Sequence, residues 1–199
     1  LRYIDDCDAT IKAMKAFLAP IQAEQLRLRV NKKKQYQPKM IFITGNHDCQ
    51  VRVNRYIGNN PVMEGAIRSI DQDFAEMGWE IIPYLEVYEI EKIWISHWIA
   101  NPHSLKGNPL SGQMTTMLKN AGHSFMMFHQ QRYSMDRSYL GNGHVHLGIV
   151  AGAFYMHEMG YQNPQARHCW KGALHLTSVK DGNADIEELS INKLLKNWG

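Results

Sequence analysis

Long apolar runs are missing from this sequence. The longest, at residues 40–43 and 124–128, fall far short of the ~20 residues that a membrane-spanning helix needs. No Arg-rich amphipathic or apolar stretch opens the sequence, so a chain working in the cytoplasm, away from membranes, is the expectation. Cysteine is scarce as well. Cys7, Cys49 and Cys169 are widely spaced with no CxxC pair, which excludes a zinc knuckle and a disulfide frame and reads as reduced thiols. Internal repeats and low-complexity tracts are absent. So is a strong charge of either sign: 22 Lys+Arg against 19 Asp+Glu leave +3, which permits an anionic substrate without demanding a nucleic-acid partner.

Aromatic and aliphatic material, in contrast, is ample. Five Trp, nine Tyr and six Phe in a chain with 44% hydrophobic residues exclude disorder. The length of 199 residues suits a single domain spanning 1–199. Ten histidines are the outlier.

Periodicity divides the chain. Residues 5–30 read as a helix, with Ile11, Met14, Phe17, Leu18, Ile21 and Leu26 at three- and four-residue spacing and Asp5, Asp6 and Asp8 near its start. Pro20 should kink that helix or begin a second one. Lys32-Lys33-Lys34 reads as a solvated connection. Met40-Ile41-Phe42-Ile43-Thr44 has the continuous apolar pattern of a strand buried on both faces. Residues 61–77 read as a helix closed by Gly78, and strands come next at 80–82, 85–90 and 93–96. A loop over 99–112 leads to a short helix at 114–120 and an apolar strand at 124–128. The last third reads as strands at 145–155, 170–179 and 186–191, with Lys180-Asp181-Gly182-Asn183 as a hairpin turn. Helices alternating with strands, then a run of strands, give an α/β class with a mainly antiparallel second sheet.

Three apolar strands deliver metal-competent side chains at their C-terminal ends. Thr44 leads into Asn46 and His47, Ser96 into His97, and Phe128 into His129. Such ends gather at one edge of an α/β sheet, where sites of these folds lie. Imidazole nitrogen and amide oxygen suit Zn, Mn or Fe. Arg52 and Arg55, three apart, are placed to face a phosphate. Gly143-His144-Val145-His146 is a second histidine motif. His129 and the His144/His146 pair are both candidates for the third strand-end ligand.

Gly45-Asn46-His47-Asp48 matches the GNH(D/E) signature of calcineurin-like metallophosphoesterases. The strand ending in His97 resembles that family's later metal-binding strand, and Phe128-His129-Gln130-Gln131-Arg132 resembles its final GHxH segment. Residues 151–155 and Trp170-Lys171-Gly172 are similar to the tail of phage-type members, so the resemblance covers about residues 40–191. It implies two mixed β-sheets packed as a sandwich and flanked by helices. It also implies hydrolysis of phosphomonoesters or phosphodiesters, with a nucleotide or nucleic acid among the candidate substrates. A divalent pair of the Mn, Zn or Fe class would serve the reaction, with Asn46, His97 and His129 ligating one metal. His47 would act beside the phosphate as general acid or charge stabiliser, with Asp48 orienting its ring. Two metals about 3.5–4 Å apart activate a hydroxide and clamp the phosphoryl oxygens. A phage origin would place the protein in the bacterial host's cytoplasm.

The family's DxH and GDxxD motifs, which supply carboxylate ligands on its first two strands, do not occur before Met40. Gln131 replaces the second His of GHxH and Phe128 its Gly. Together with Leu1 in place of an initiator Met, this leads to the expectation of a chain missing its first two strands and active as a hydrolase only when their ligands are supplied. A partner chain or second copy would then cover the exposed sheet edge. Fewer carboxylates also mean one metal site, or none, in this chain. The alternative expectation is a degenerate, metal-poor member acting as a binding or structural module. A nucleic-acid binder using residues 32–34 and the Arg52 region is a third.

Overall fold

A computed structural model describes residues 2–47, 50–67, 69–156 and 169–199. The class is mixed α/β, with five helices and three sheets among the described residues. The chain divides into two compact units, Leu1–Tyr84 and Leu85–Gly199. No helix among the described residues is long and apolar enough to cross a membrane. Cys7 and Cys169 are free thiols, and Cys49 lies outside the described residues.

The first unit opens with helix α1 (Arg2–Val30), which runs through Pro20 without a break. Pro20 removes one backbone donor from the ladder, and the remaining turns hold. The face turned inward carries Cys7, Ile11, Met14, Leu18 and Ile21, alternating four and three residues apart, with Cys7 and Leu18 buried. Phe17 and Leu26, expected on that face, point to solvent. Strand β1 (Ile41–Ile43) pairs in parallel with β2 (Glu80–Ile82), Ile41 opposite Glu80 and Ile43 opposite Ile82. Thr44 N–H donates to the Ile82 carbonyl and extends the ladder. All three β1 residues are half-buried, so the expectation of a strand buried on both faces is corrected: β2 is its one described neighbour.

The crossover between β1 and β2 holds α2 (Gln50–Asn59), a 3₁₀ turn at Pro61–Met63, and α3 (Asp71–Glu76). A single helix over 61–77 is therefore not formed. Glu64 leaves the helical region at ψ 132° and Gly65 continues at φ 76°, so helical propagation ends at this turn. Val62, expected to face the core, is exposed, while Ile70 and Phe74 are buried. Phe74 stacks on Phe42 of β1 at 4.1 Å between ring centroids and meets the edge of Trp79 at 5.6 Å.

The second unit is built on a five-stranded sheet ordered β3 (Tyr88–Ile90), β4 (Ile93–Ser96), β5 (Ser124–Met127), β7 (Val145–Ala151) and β6 (Tyr133–Tyr139). The three central strands β4, β5 and β7 are parallel, and the edge strands β3 and β6 are antiparallel to their neighbours. Strand β5 is buried along its whole length, and its side chains alternate between two cores. Phe125 and Met127 pack with Met114, Met117 and Leu118 of α4 (Met114–Ala121). Met126 packs on the opposite face with Leu147, Ile149 and Ala184, against which Leu174, Leu176 and Ile186 of the hairpin β8 (Gly172–Lys180) and β9 (Asn183–Ser190) are half-buried. Helix α4 thus covers one face of the sheet and the hairpin covers the other. Gly148 on β7 makes the first contact close: a Cβ there would lie 2.6 Å from the Met114 sulfur and 2.9 Å from Leu118 Cγ.

Several boundaries differ from the sequence expectations. The strand expected at 85–90 shortens to Tyr88–Ile90, because Leu85 sits at φ 72°. The strand expected at 145–155 ends at Ala151. Strand β6 and the terminal helix α5 (Ile191–Trp198) form where none was expected. The hairpin turn at 180–183 forms as expected, with Asp181 and Gly182 both at positive φ.

Candidate functional site

Parallel pairing of β4 with β5 sets Ser96 opposite Met127, so the residues after both strands emerge at the same sheet edge. The N–H groups of Phe128 and His129 both donate to the His97 carbonyl, at 3.0 and 2.8 Å, and carry the pairing past the strand ends. His97 Nε2 and His129 Nδ1 then lie 3.1 Å apart, both rings half-buried. Trp98 meets the His129 ring edge-on at 4.7 Å. Ser96, at the end of β4, is fully buried, and its hydroxyl has no hydrogen-bond partner among the described residues.

The loop after His129 is held by its own side chains. Gln130 Nε2 donates to the Leu110 carbonyl at 2.7 Å, Arg132 donates to the Gly112 carbonyl, and Arg132 Nε donates to Gln130 at 3.0 Å. Gln131, in the place of the second imidazole of the resembled motif, accepts from the Tyr155 hydroxyl at 3.3 Å.

The second histidine motif lies elsewhere. His144 and His146 are at the beginning of β7, which runs parallel to β5, and so stand at the sheet edge opposite His97 and His129. They share a cavity of about 160 Å³ with His123, Lys92 and Asp181. His123 stacks on Trp94 at 4.1 Å, and its ring nitrogen Nδ1 donates to the Ser124 carbonyl at 2.9 Å. Burial, followed by the charges of His123 and His144, lowers the His146 pKa below its ordinary 6.5.

In the first unit, β1 passes through buried Thr44 and Gly45 into the turn at Asn46 and His47. Arg52 of α2 holds this turn: Nη1 donates to the Asn46 carbonyl at 3.1 Å and to His47 Nδ1 at 2.8 Å. A guanidinium only donates, so His47 accepts through Nδ1 and a neutral ring carries its proton on Nε2. His47 also borders a cavity of about 240 Å³ with Asp6, Cys7 and Thr10 of α1. Asp48, expected to orient this ring, lies outside the described residues. Spacing had pointed to Arg52 as a phosphate contact, not as the partner of His47. The signal available was its position five residues beyond His47, on the first turn of the helix that leaves the motif.

Of the expected site residues, then, His97 and His129 are brought together within the second unit, and Asn46 and His47 stand together in the first. The 3.1 Å contact between His97 and His129 is a hydrogen bond from one ring nitrogen to the other, and the same separation is compatible with both nitrogens binding one ion of the Zn, Mn or Fe class at about 2.0–2.1 Å each. Neutral nitrogen donors suit these metals better than magnesium. Among the described residues no group of three or more His, Cys, Asp or Glu is arranged to hold a metal. The fit is therefore to one ion through two imidazoles.

No protein-family model, curated protein or solved structure matches the chain.

Proposed function

We propose that this chain is a metal-dependent phosphoester hydrolase of the calcineurin-like metallophosphoesterase type, acting on phosphomonoesters or phosphodiesters. One observation carries the reading: two histidines at the ends of adjacent parallel strands, with facing nitrogens 3.1 Å apart. In this role His97 and His129 would hold a divalent ion, which would supply charge stabilisation to the phosphoryl oxygens and activation of the attacking water. The protein's own work is positional. Packing of β5 fixes the two rings, Gln130 and Arg132 fix the loop behind His129, and Trp98 walls one side of its ring. Within the first unit, Arg52 occupies His47 Nδ1 and leaves Nε2–H as a hydrogen-bond donor, which suits the charge-stabilising part that the resemblance gives this ring.

The competing reading, a fold retained as a binding module, draws on the lack of a third His, Cys, Asp or Glu ligand among the described residues. Hydrolysis of bis-p-nitrophenyl phosphate and p-nitrophenyl phosphate by the purified chain separates the two. The hydrolase reading expects turnover with added Mn²⁺ or Zn²⁺ that chelation abolishes. Absence of turnover with every divalent metal of that class would favour the module.

A further inference from the structure

Helix α2 presents a face of which the hydrolase reading uses only Arg52, as the partner of His47. Arg52, Arg55, Tyr56 and Asn59 recur at i, i+3, i+4 and i+7, the spacing of one helical stripe. Val53, off that stripe, is the buried residue of this helix. In an ordinary amphipathic helix a stripe of this kind is either core or solvated. Here it lines a cavity of about 510 Å³, within the first unit, together with Asn46 and Tyr84. That volume lies in the range of small-molecule sites, roughly 300–1,000 Å³.

The chemistry of the lining is specific. Two guanidiniums border the cavity, and among the described residues no acidic side chain lines it. Arg52 is oriented by its bonds to Asn46 and His47, so its fork is not free to sweep the solvent. Guanidinium forks match phosphate oxygens in a bidentate manner. Tyr56 and Tyr84 add aromatic faces to the same space, and Asn46 and Asn59 add amides that both donate and accept. A bare phosphate would use the arginines and leave the tyrosines idle. A neutral flat ring would do the reverse.

We infer that this cavity binds a nucleoside monophosphate, its phosphate on Arg52 and Arg55 and its base against Tyr56 and Tyr84. The inference concerns binding within the first unit and does not rest on the hydrolase reading, because it needs no metal. Isothermal titration of the full chain in chelator, with adenosine monophosphate, inorganic phosphate and adenosine as separate probes, tests it. Adenosine monophosphate is expected to bind more tightly than either of the other two. Arg55→Ala should weaken it about tenfold or more through loss of a charge-assisted contact, and Tyr56→Ala should weaken it about tenfold through loss of stacking. Both side chains are exposed, and circular dichroism verifies that the variants fold.

Binding of adenosine monophosphate no tighter than inorganic phosphate would overturn the inference. Unchanged affinity in folded Arg55→Ala and Tyr56→Ala would do so too. The two proposals fail separately. Binding in chelator without hydrolysis under any metal keeps the pocket and removes the reaction, whereas metal-dependent hydrolysis without nucleotide binding does the opposite.

Discussion

The two strand ends that carry the histidines of interest stand in different surroundings. Strand β5 is flanked by β4 and β7 and buried at all four positions, and the rings it helps to place are half-buried and within hydrogen-bond distance of each other. Strand β1 has one described neighbour and three half-buried residues, and the His47 beyond it is exposed. In the second unit the sheet itself dictates geometry, since pairing continues through Phe128 and His129 onto the His97 carbonyl. In the first, a side chain of the next helix, Arg52, does the holding. Rigid strand ends suit ligands that must stay at a fixed spacing, and the Arg52 tether fixes the tautomer that leaves His47 Nε2–H as a donor.

The contrast can be broken at its most exposed point. Replacing His47 by Ala removes the Nε2–H donor without touching either core, so turnover of an aryl phosphodiester is expected to fall by about 10²–10³-fold through lost charge stabilisation, with the melting temperature nearly unchanged. Equal turnover in that variant would take His47 out of the reaction.

A stability pair sharpens the difference between the scaffolds. Phe125 is fully buried between β5 and α4, and truncation to Ala should cost about 3–5 kcal/mol. Phe42, half-buried and stacked on Phe74, should cost clearly less on the same change. Urea unfolding of both variants measures the two losses. Equal costs would mean that the strands are equally embedded.

The smallest expected effect concerns the opposite edge of the second unit's sheet. The folded state binds a proton on His146 less readily than the unfolded chain does, because burial and the neighbouring His123 and His144 disfavour its charge. As pH falls below the ordinary value of 6.5, the unfolded state therefore takes up more protons, and stability declines until the lowered native pKa is passed. A thermal melt series from pH 7.5 to 5 should show a shallower decline in His146→Gln. An unchanged slope would remove His146 as its source.

How much of the fold the sequence disclosed depends on how strongly each pattern is written. Continuous apolar runs announced β1 and β5, and a glycine at positive φ closed α4 at Gly122 as it closed the expected turn at Asp181 and Gly182. The edge strand β6 escaped because Tyr-Ser-Met-Asp-Arg-Ser-Tyr alternates with an arginine in the apolar phase. Arg137 holds that place by donating to Asn183 and to the Ala184 carbonyl of β9. The single helix over 61–77 failed because apolar spacing says nothing of the turn at Glu64 and Gly65. For the site, strand ends were legible one at a time. That His97 and His129 touch depends on β4 and β5 being parallel neighbours, a pairing between segments far apart in the chain that local pattern does not encode. Burial on β1 was overestimated for a related reason, because an apolar run reveals what a strand tolerates and not how many neighbours it has.

The central claim is that His97 and His129 form one metal position. Elemental analysis of the purified chain after equilibration with Zn²⁺ and gel filtration tests it directly, beside folded His97→Ala and His129→Ala variants. The claim predicts bound zinc in the parent chain and its loss in each variant. Zinc retained at the parent level by both variants, or absent from the parent, would contradict it.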